Sequence, residues 1–177
     1  MYLFITRFST PYTAILLLSL ILLAGCGQSD DQREFEREAF AAPDNFTETT
    51  GDGTIENNVD PDDWRVSPFY QGYVADVYPA YPNPVETTGQ INIDVDVLGI
   101  NAVPGLILVV YYYEQGGTDP IFESTQNPLP PGNNPINFSA LELGRFDTNE
   151  SRRGLHRVIL LDSNENVISY GDIMVEY

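Results

Sequence analysis

Alternating apolar and polar residues mark the most regular strand of this chain. Between residues 91 and 97, isoleucine and valine alternate with asparagine and aspartate. A period of two residues is typical of a strand with one buried face. Similar short apolar runs follow, separated by Gly, Pro, Asn and Asp. The predicted strands cover residues 70–78, 91–97, 105–113, 121–125, 136–143, 155–161 and 167–176.

This pattern predicts an all-β protein. About seven strands with no convincing helix favour a single immunoglobulin-like β-sandwich over residues 64–177, with Trp64 packing at its start. Residues 26–63 contain twelve Asp and Glu residues and few large apolar ones. Low hydrophobicity with high charge is typical of disordered chain. We therefore expect the sandwich to follow a disordered acidic tether.

The predicted strand at residues 105–113 is apolar on both faces. Ile107, Val109, Tyr111 and Tyr113 alternate with a second apolar set, yet a sandwich strand needs only one apolar face. Either another segment of the chain covers the second face, with residues 66–73 as the candidate, or those four side chains form a partner face. We favour the internal cover, because exposed apolar patches are uncommon in monomers.

A short apolar run lies near the N-terminus. Residues 14–24 are apolar except for Ser19, a length that suits the hydrophobic region of a signal peptide and is too short to span a bilayer. The run ends in Leu22-Leu23-Ala24-Gly25-Cys26, which resembles the lipobox of bacterial lipoproteins. The resemblance implies that residues 1–25 are a signal peptide and that Cys26, the only cysteine, carries lipid. An ordinary secretory signal with a chance cysteine is the alternative.

The residues after Cys26 concern which face of the membrane the protein occupies. Asp30 and Asp31 follow Gly-Gln-Ser, and such an acidic cluster is similar to a surface-export signal of some Gram-negative lipoproteins. A solvated charge run is an equal alternative. We expect an outer-membrane lipoprotein that is either periplasmic or surface-exposed.

The chain has a formal net charge of −18 and no lysine. Nucleic-acid binding needs basic patches, so this class of partner is excluded. Anionic lipid headgroups would also repel the chain. Lipid on Cys26, rather than electrostatic attraction, must therefore hold it to a membrane.

A second resemblance concerns Tyr81-Pro82-Asn83-Pro84-Val85. The C-terminal sorting domains of type IX secretion cargo begin with a similar Tyr-Pro-Asn-Pro and are small immunoglobulin-like sandwiches. Gly154-Leu155-His156-Arg157-Val158 is similar to one of their late strands. The resemblance covers about residues 81–177, but those domains often end in a basic residue, whereas this chain ends in Tyr177.

Catalytic motifs are weak. His156 is the only histidine and lies in a predicted strand, where a packed or edge histidine is the expected role. A lipidated Cys26 excludes thiol catalysis, and the absence of lysine excludes a P-loop or a Schiff base. Asp60, Asp62 and Asp63 have the oxygen ligands of a calcium site but no EF-hand spacing, so solvated acids are favoured. We predict no catalytic residue, no metal site and no cofactor.

These inferences favour a non-enzymatic envelope lipoprotein whose sandwich binds an envelope protein or polysaccharide, or has a structural role. The alternatives are a small Asp/Glu-dependent hydrolase and a secretion-sorting module.

Overall fold

The computed structural model describes residues 29–177, which are mainly strand. The strands are β1 (Val74–Val77), β2 (Val85–Glu86), β3 (Gln90–Val97), β4 (Ile107–Tyr111), β5 (Thr118–Glu123), β6 (Gly132–Ser139), β7 (Gly154–Leu161) and β8 (Val167–Glu176). The helices in this range are α1 (Asp30–Ala39), α2 (Asn149–Arg152) and two 3-10 turns, Pro68–Tyr70 and Ala140–Glu142. None of the helices in the described range is long and apolar enough to cross a membrane.

The strands form two sheets, which confirms the predicted all-β sandwich. One sheet has the order β1-β3-β6 and the other the order β2-β8-β7-β4-β5. The alternation in β3 places Ile91, Ile93 and Val95 in the core, where they are fully buried with Leu108 and Val110 of β4. Neighbouring strands are antiparallel except for β2 and β8, which pair in parallel.

Several strand boundaries differ from the sequence prediction. β6 begins at Gly132, because it pairs with β3 along its whole length, from Gln90 opposite Ser139 to Val97 opposite Gly132. Backbone pairing therefore extends the strand into a polar, asparagine-rich stretch. The two-residue strand β2 was not predicted, since two residues give no periodic signal.

Residues 30–63 differ from the expected extended tether. Helix α1 places Gln32, Phe35 and Ala39 on one buried face, a spacing of three and four residues that is typical of an amphipathic helix. The following segment is fixed by backbone hydrogen bonds, including a bridge between Thr49 and Asn83. Mean composition misses this order, because the contacts that hold α1 come from a few residues on one face, such as Phe35 and Ala39.

Trp64 is buried in the main core, as expected, but helix α1 is already folded well before it, at Asp30–Ala39. The predicted signal peptide at residues 1–25 and the predicted lipidation site Cys26 lie outside the described residues.

Candidate functional site

The outer face of the five-stranded sheet carries the side chains predicted to meet a partner. Ile107, Val109 and Tyr111 point away from the core on β4, beside Ile159 of β7 and Tyr170 of β8. These residues form a second, smaller apolar cluster on the far side of the sheet. Both faces of β4 are therefore packed, as its sequence predicted.

Helix α1 covers this outer face. The Phe35 ring lies 5.1 Å from the ring of Tyr170, and Ala39 is fully buried against the same cluster. The side-chain oxygen of Gln32 accepts a hydrogen bond of 2.9 Å from the backbone N–H of Phe69. The internal-cover alternative is therefore correct. The predicted covering segment is wrong: Val66 and Tyr70, from residues 66–73, pack on the main core instead.

The cover ends at Phe40. Its ring meets Tyr111 edge-on with centroids 5.4 Å apart, and Phe40 remains 41% exposed. Val109 is buried and Ile107 and Tyr111 are half-buried, whereas Tyr113 is 55% exposed. The four predicted partner-face residues are thus divided between covered and open positions.

Two open grooves lie beside the contact between Phe40 and Tyr111, and Phe40 itself lines the first of them. The first has a volume of about 450 Å³ and is lined by Phe40, Ile107, Val109, Pro120, Glu123 and Leu161 among others. The second has a volume of about 400 Å³, and its lining includes Pro43, Tyr111, Tyr113, Leu155 and His156. Apolar walls with a few polar groups are typical of ligand-contact surfaces.

A buried ion pair lies under the end of the cover. The guanidinium of Arg157 makes two contacts with the carboxylate of Asp172, at 2.5 Å from Nε and 2.8 Å from Nη2. Arg157 also donates to the backbone carbonyl of Glu38 at 2.8 Å, and its guanidinium lies 4.8 Å from the centre of the Tyr170 ring. This arginine therefore joins the C-terminal end of α1 to the sheet.

Asp63 occupies the other side of Asp172. Its carboxylate accepts hydrogen bonds from the backbone N–H of Asp172 at 2.9 Å and of Thr47 at 2.8 Å. Burial, and next the nearby charge of Asp172, raise the pKa of Asp63 to about 7. Burial also raises the pKa of Asp172, although Arg157 opposes this shift.

Asp44, Asp60 and Asp172 each place one carboxylate oxygen within 4.8 Å of the others. Oxygen atoms are the ligands that Ca²⁺ prefers, but both oxygens of Asp172 are already bound to Arg157. The expectation of solvated acids holds only for Asp62, which is exposed and pairs with Arg65 at 3.3 Å, whereas Asp60 is buried and Asp63 accepts backbone hydrogen bonds. The contacts of the cluster support a structural role, in which it holds residues 44–63 against β8.

Asn83, from the Tyr-Pro-Asn-Pro segment, belongs to the same network. It is fully buried, and its amide donates to the backbone carbonyls of Thr47 at 3.0 Å and Asp172 at 2.9 Å. Its side-chain oxygen accepts from the N–H of Met174 at 2.9 Å. Asn83 therefore links the N-terminal segment to β8, a role that the turn chemistry of the motif does not reveal.

His156 is packed in β7, in line with its expected role. A ring nitrogen lies 2.8 Å from the backbone carbonyl oxygen of Arg152, and burial lowers the pKa of the imidazole. These contacts favour a neutral ring that donates a hydrogen bond within the fold.

The packing of α1 on the sheet is the main feature that sequence reasoning missed, since the charge spacing of residues 32–42 indicated only a transient helix. A usable signal existed in the spacing of Gln32, Phe35 and Ala39. No protein-family model matches this chain, and no curated protein shows significant sequence similarity to it.

Proposed function

We propose that this protein is a lipid-anchored lipoprotein of the bacterial cell envelope, held in the outer membrane by acyl chains on Cys26. The observation that carries this proposal is the Leu22-Leu23-Ala24-Gly25-Cys26 sequence after a short apolar run. Each buried CH₂ of a lipid chain contributes about 0.8 kcal/mol, so two or three chains make a durable anchor.

The sandwich acts as a non-catalytic module that binds an envelope protein or polysaccharide, or stabilises an envelope assembly. The partly covered outer face supports binding, because the two grooves beside the contact between Phe40 and Tyr111 combine apolar walls with exposed aromatic rings. Aromatic side chains are frequent anchors of protein interfaces. Tyr113 is the most exposed of the predicted contact residues and the one we expect to contribute most.

The contacts of the acidic residues also support a binding role over hydrolysis. Acid–base hydrolysis needs two carboxyl groups that face a substrate. In the cluster around Asp172, the carboxylates bind Arg157 and backbone amides instead. Their hydrogen bonds stabilise the fold.

Fractionation of cells that express the protein tests the anchor. The wild-type chain should be recovered with the membranes, and Cys26→Ser should remain uncleaved or become soluble, because serine does not replace the acylated thiol. Tyr113→Asp serves as the matched control, since it changes an exposed residue outside the anchor and should stay with the membranes. A Cys26→Ser variant that is cleaved to the wild-type mature length and still stays with the membranes would contradict the proposal.

Cross-linking in intact cells tests the binding face. A photoreactive residue at Tyr113 should give a discrete adduct. The control is the same residue at Tyr78, which is 47% exposed and directly follows β1 of the three-stranded sheet. Identical adducts at both positions would contradict a specific face.

A further inference from the structure

One end of the sandwich is made of loops that are almost free of charge. Residues 66–73, 98–106 and 124–131, which lie outside the strands, contain no Asp, Glu, Lys or Arg, although the chain has a net charge of −18. No single stretch of this kind is unusual. The three matter together because the fold places them at the same end of the sandwich.

The three stretches meet at the same end of the two sheets. Val74 of β1 pairs with Val97 of β3, which in turn pairs with Gly132 of β6, so the loops beyond these residues are neighbours. Backbone hydrogen bonds join these loops. The N–H of Leu98 donates to the carbonyl of Tyr73 at 3.0 Å, and the N–H of Leu129 donates to the carbonyl of Val103 at 2.9 Å. We call this surface the neutral end and define it by Phe69, Leu98 and Ile100.

Large apolar side chains are exposed at the neutral end. Ile100 is 79% exposed, Phe69 56% and Leu98 44%. Phe69 stacks on Tyr73 with an interplanar angle of 8°. The neutral end therefore offers apolar contact with little electrostatic repulsion.

Two acids lie in the β7–β8 turn at this end. Asp162 is 1% exposed and accepts a hydrogen bond from the Tyr70 hydroxyl at 2.5 Å, so its charge is held inside the fold. Glu165 is exposed, and α1 begins with Asp30 and Asp31. With acids at its margin and no cluster of basic residues, the neutral end suits a zwitterionic bilayer better than an anionic one.

The proposed anchor is attached at this same end. Helix α1 begins at Asp30, and within its first turn Gln32 bonds to the backbone of Phe69. Cys26 precedes Asp30 by four residues, a length of chain that spans at most ~14 Å. Lipid on Cys26 therefore keeps Phe69 and its neighbours close to the membrane surface.

We propose that the neutral end rests on the bilayer, with Ile100, Leu98 and Phe69 in contact with zwitterionic lipid. The sandwich then stands on the membrane with the opposite end of its sheets toward solvent. This orientation rests on the proposed lipid anchor at Cys26, since the short attachment to α1 selects the end that faces the membrane.

Site-directed spin labelling of the full lipidated protein on zwitterionic vesicles tests this orientation. Cys26 is the only cysteine, so an acylated chain has no free thiol and accepts one label at Ile100→Cys. Phe146→Cys is the matched control, because Phe146 is 65% exposed in a charged loop outside the neutral end. The ratio of accessibility to oxygen over accessibility to a nickel chelate should be several-fold higher at position 100 than at position 146. Adding Leu98→Asp should lower the ratio at position 100, with the unfolding transition unchanged.

Each other outcome contradicts the orientation in a recognisable way. Equal ratios at both positions on vesicle-bound protein would overturn the orientation and leave the anchor intact. Dipolar broadening between labels at position 100 would show a second copy of the chain at this surface and would also overturn it. Thiol labelling of the wild-type chain would show that Cys26 is unmodified, so that the anchor itself fails and the orientation with it.

Discussion

The indole of Trp64 lies directly on the backbone of Gly171 in β8. A β-carbon at position 171 would lie 2.6 Å from both Cζ2 and Nε1 of the indole, closer than side chains approach in folded proteins. The backbone N–H of Trp64 also donates a hydrogen bond to the backbone carbonyl of Tyr170 at 2.7 Å. The shift in the β7–β8 register occurs between Leu160 and Leu161, away from Gly171. The glycine makes room for the tryptophan.

Gly171→Ala should destabilise the protein. The added methyl group forces the buried indole or the strand to move, and overpacking of this kind costs about 1–3 kcal/mol. Urea denaturation followed by circular dichroism measures the change in the free energy of unfolding. Gly51→Ala is the control, because nothing lies within 4 Å of a β-carbon at that position. Equal stability of the two variants would show that the indole does not occupy this place.

Phe35→Ala should release helix α1 from the sheet while the sandwich remains folded. Phe35 is 5% exposed and packs on Tyr170, and removal of a buried phenylalanine side chain costs about 3–5 kcal/mol. Amide hydrogen exchange should become fast across Asp30–Ala39 and stay slow in β7 and β8. Phe40→Ala, at a position that is 41% exposed, should change exchange in the helix much less. Slow exchange in α1 of the Phe35 variant would contradict its role as the cover.

Asp63→Asn should remove part of the pH dependence of stability. The pKa of Asp63 is raised from 3.8 to about 7 by burial and by Asp172. The folded state therefore binds a proton more tightly than the unfolded state. The contribution of Asp63 to stability is present at low pH and is lost as the pH rises from about 4 to about 7, with a slope of at most about 1.4 kcal/mol per pH unit.

The difference in unfolding free energy between wild type and Asp63→Asn, measured from pH 4 to pH 8, checks this prediction. The free energy of unfolding of Asp63→Asn should increase relative to that of wild type as the pH rises. A difference that is constant across this range would show that Asp63 titrates normally.

Tyr70→Phe should weaken the neutral end with the opposite dependence on pH. Burial acts to raise the pKa of Asp162, but hydrogen bonds from Tyr70, Asn166 and Asn164 outweigh it and hold the pKa below 3.8. The stabilisation is therefore present above pH 4 and is lost as the pH falls through the lowered pKa. Loss of a hydrogen bond to a charged group costs about 1.5–3 kcal/mol at neutral pH. Denaturation of wild type and Tyr70→Phe at pH 7 and at pH 3 measures this cost, which should be smaller at pH 3.

The sandwich was predictable from sequence because its strands have regular patterns. Residues 91–97 alternate and residues 105–113 are apolar throughout; β4 lies within the second range, and β3 exceeds the first by one residue, Gln90. The apolar outer face of β4 also correctly indicated a covering segment. The identity of that segment was not predictable, because contacts such as Phe35 with Tyr170 join residues far apart in the chain. The network around Asp172 was hidden for the same reason, because Asp44 and Asp63 are more than a hundred residues from Asp172 in the chain.

The most direct test of the account is the intact mass of the protein purified from membranes. The account predicts a chain that begins at Cys26 and carries the added mass of a diacylglycerol group and any further acyl chain. A shortened C-terminus would instead indicate a sorting module. A chain with an unmodified Cys26 would contradict the lipid anchor, which is the central claim.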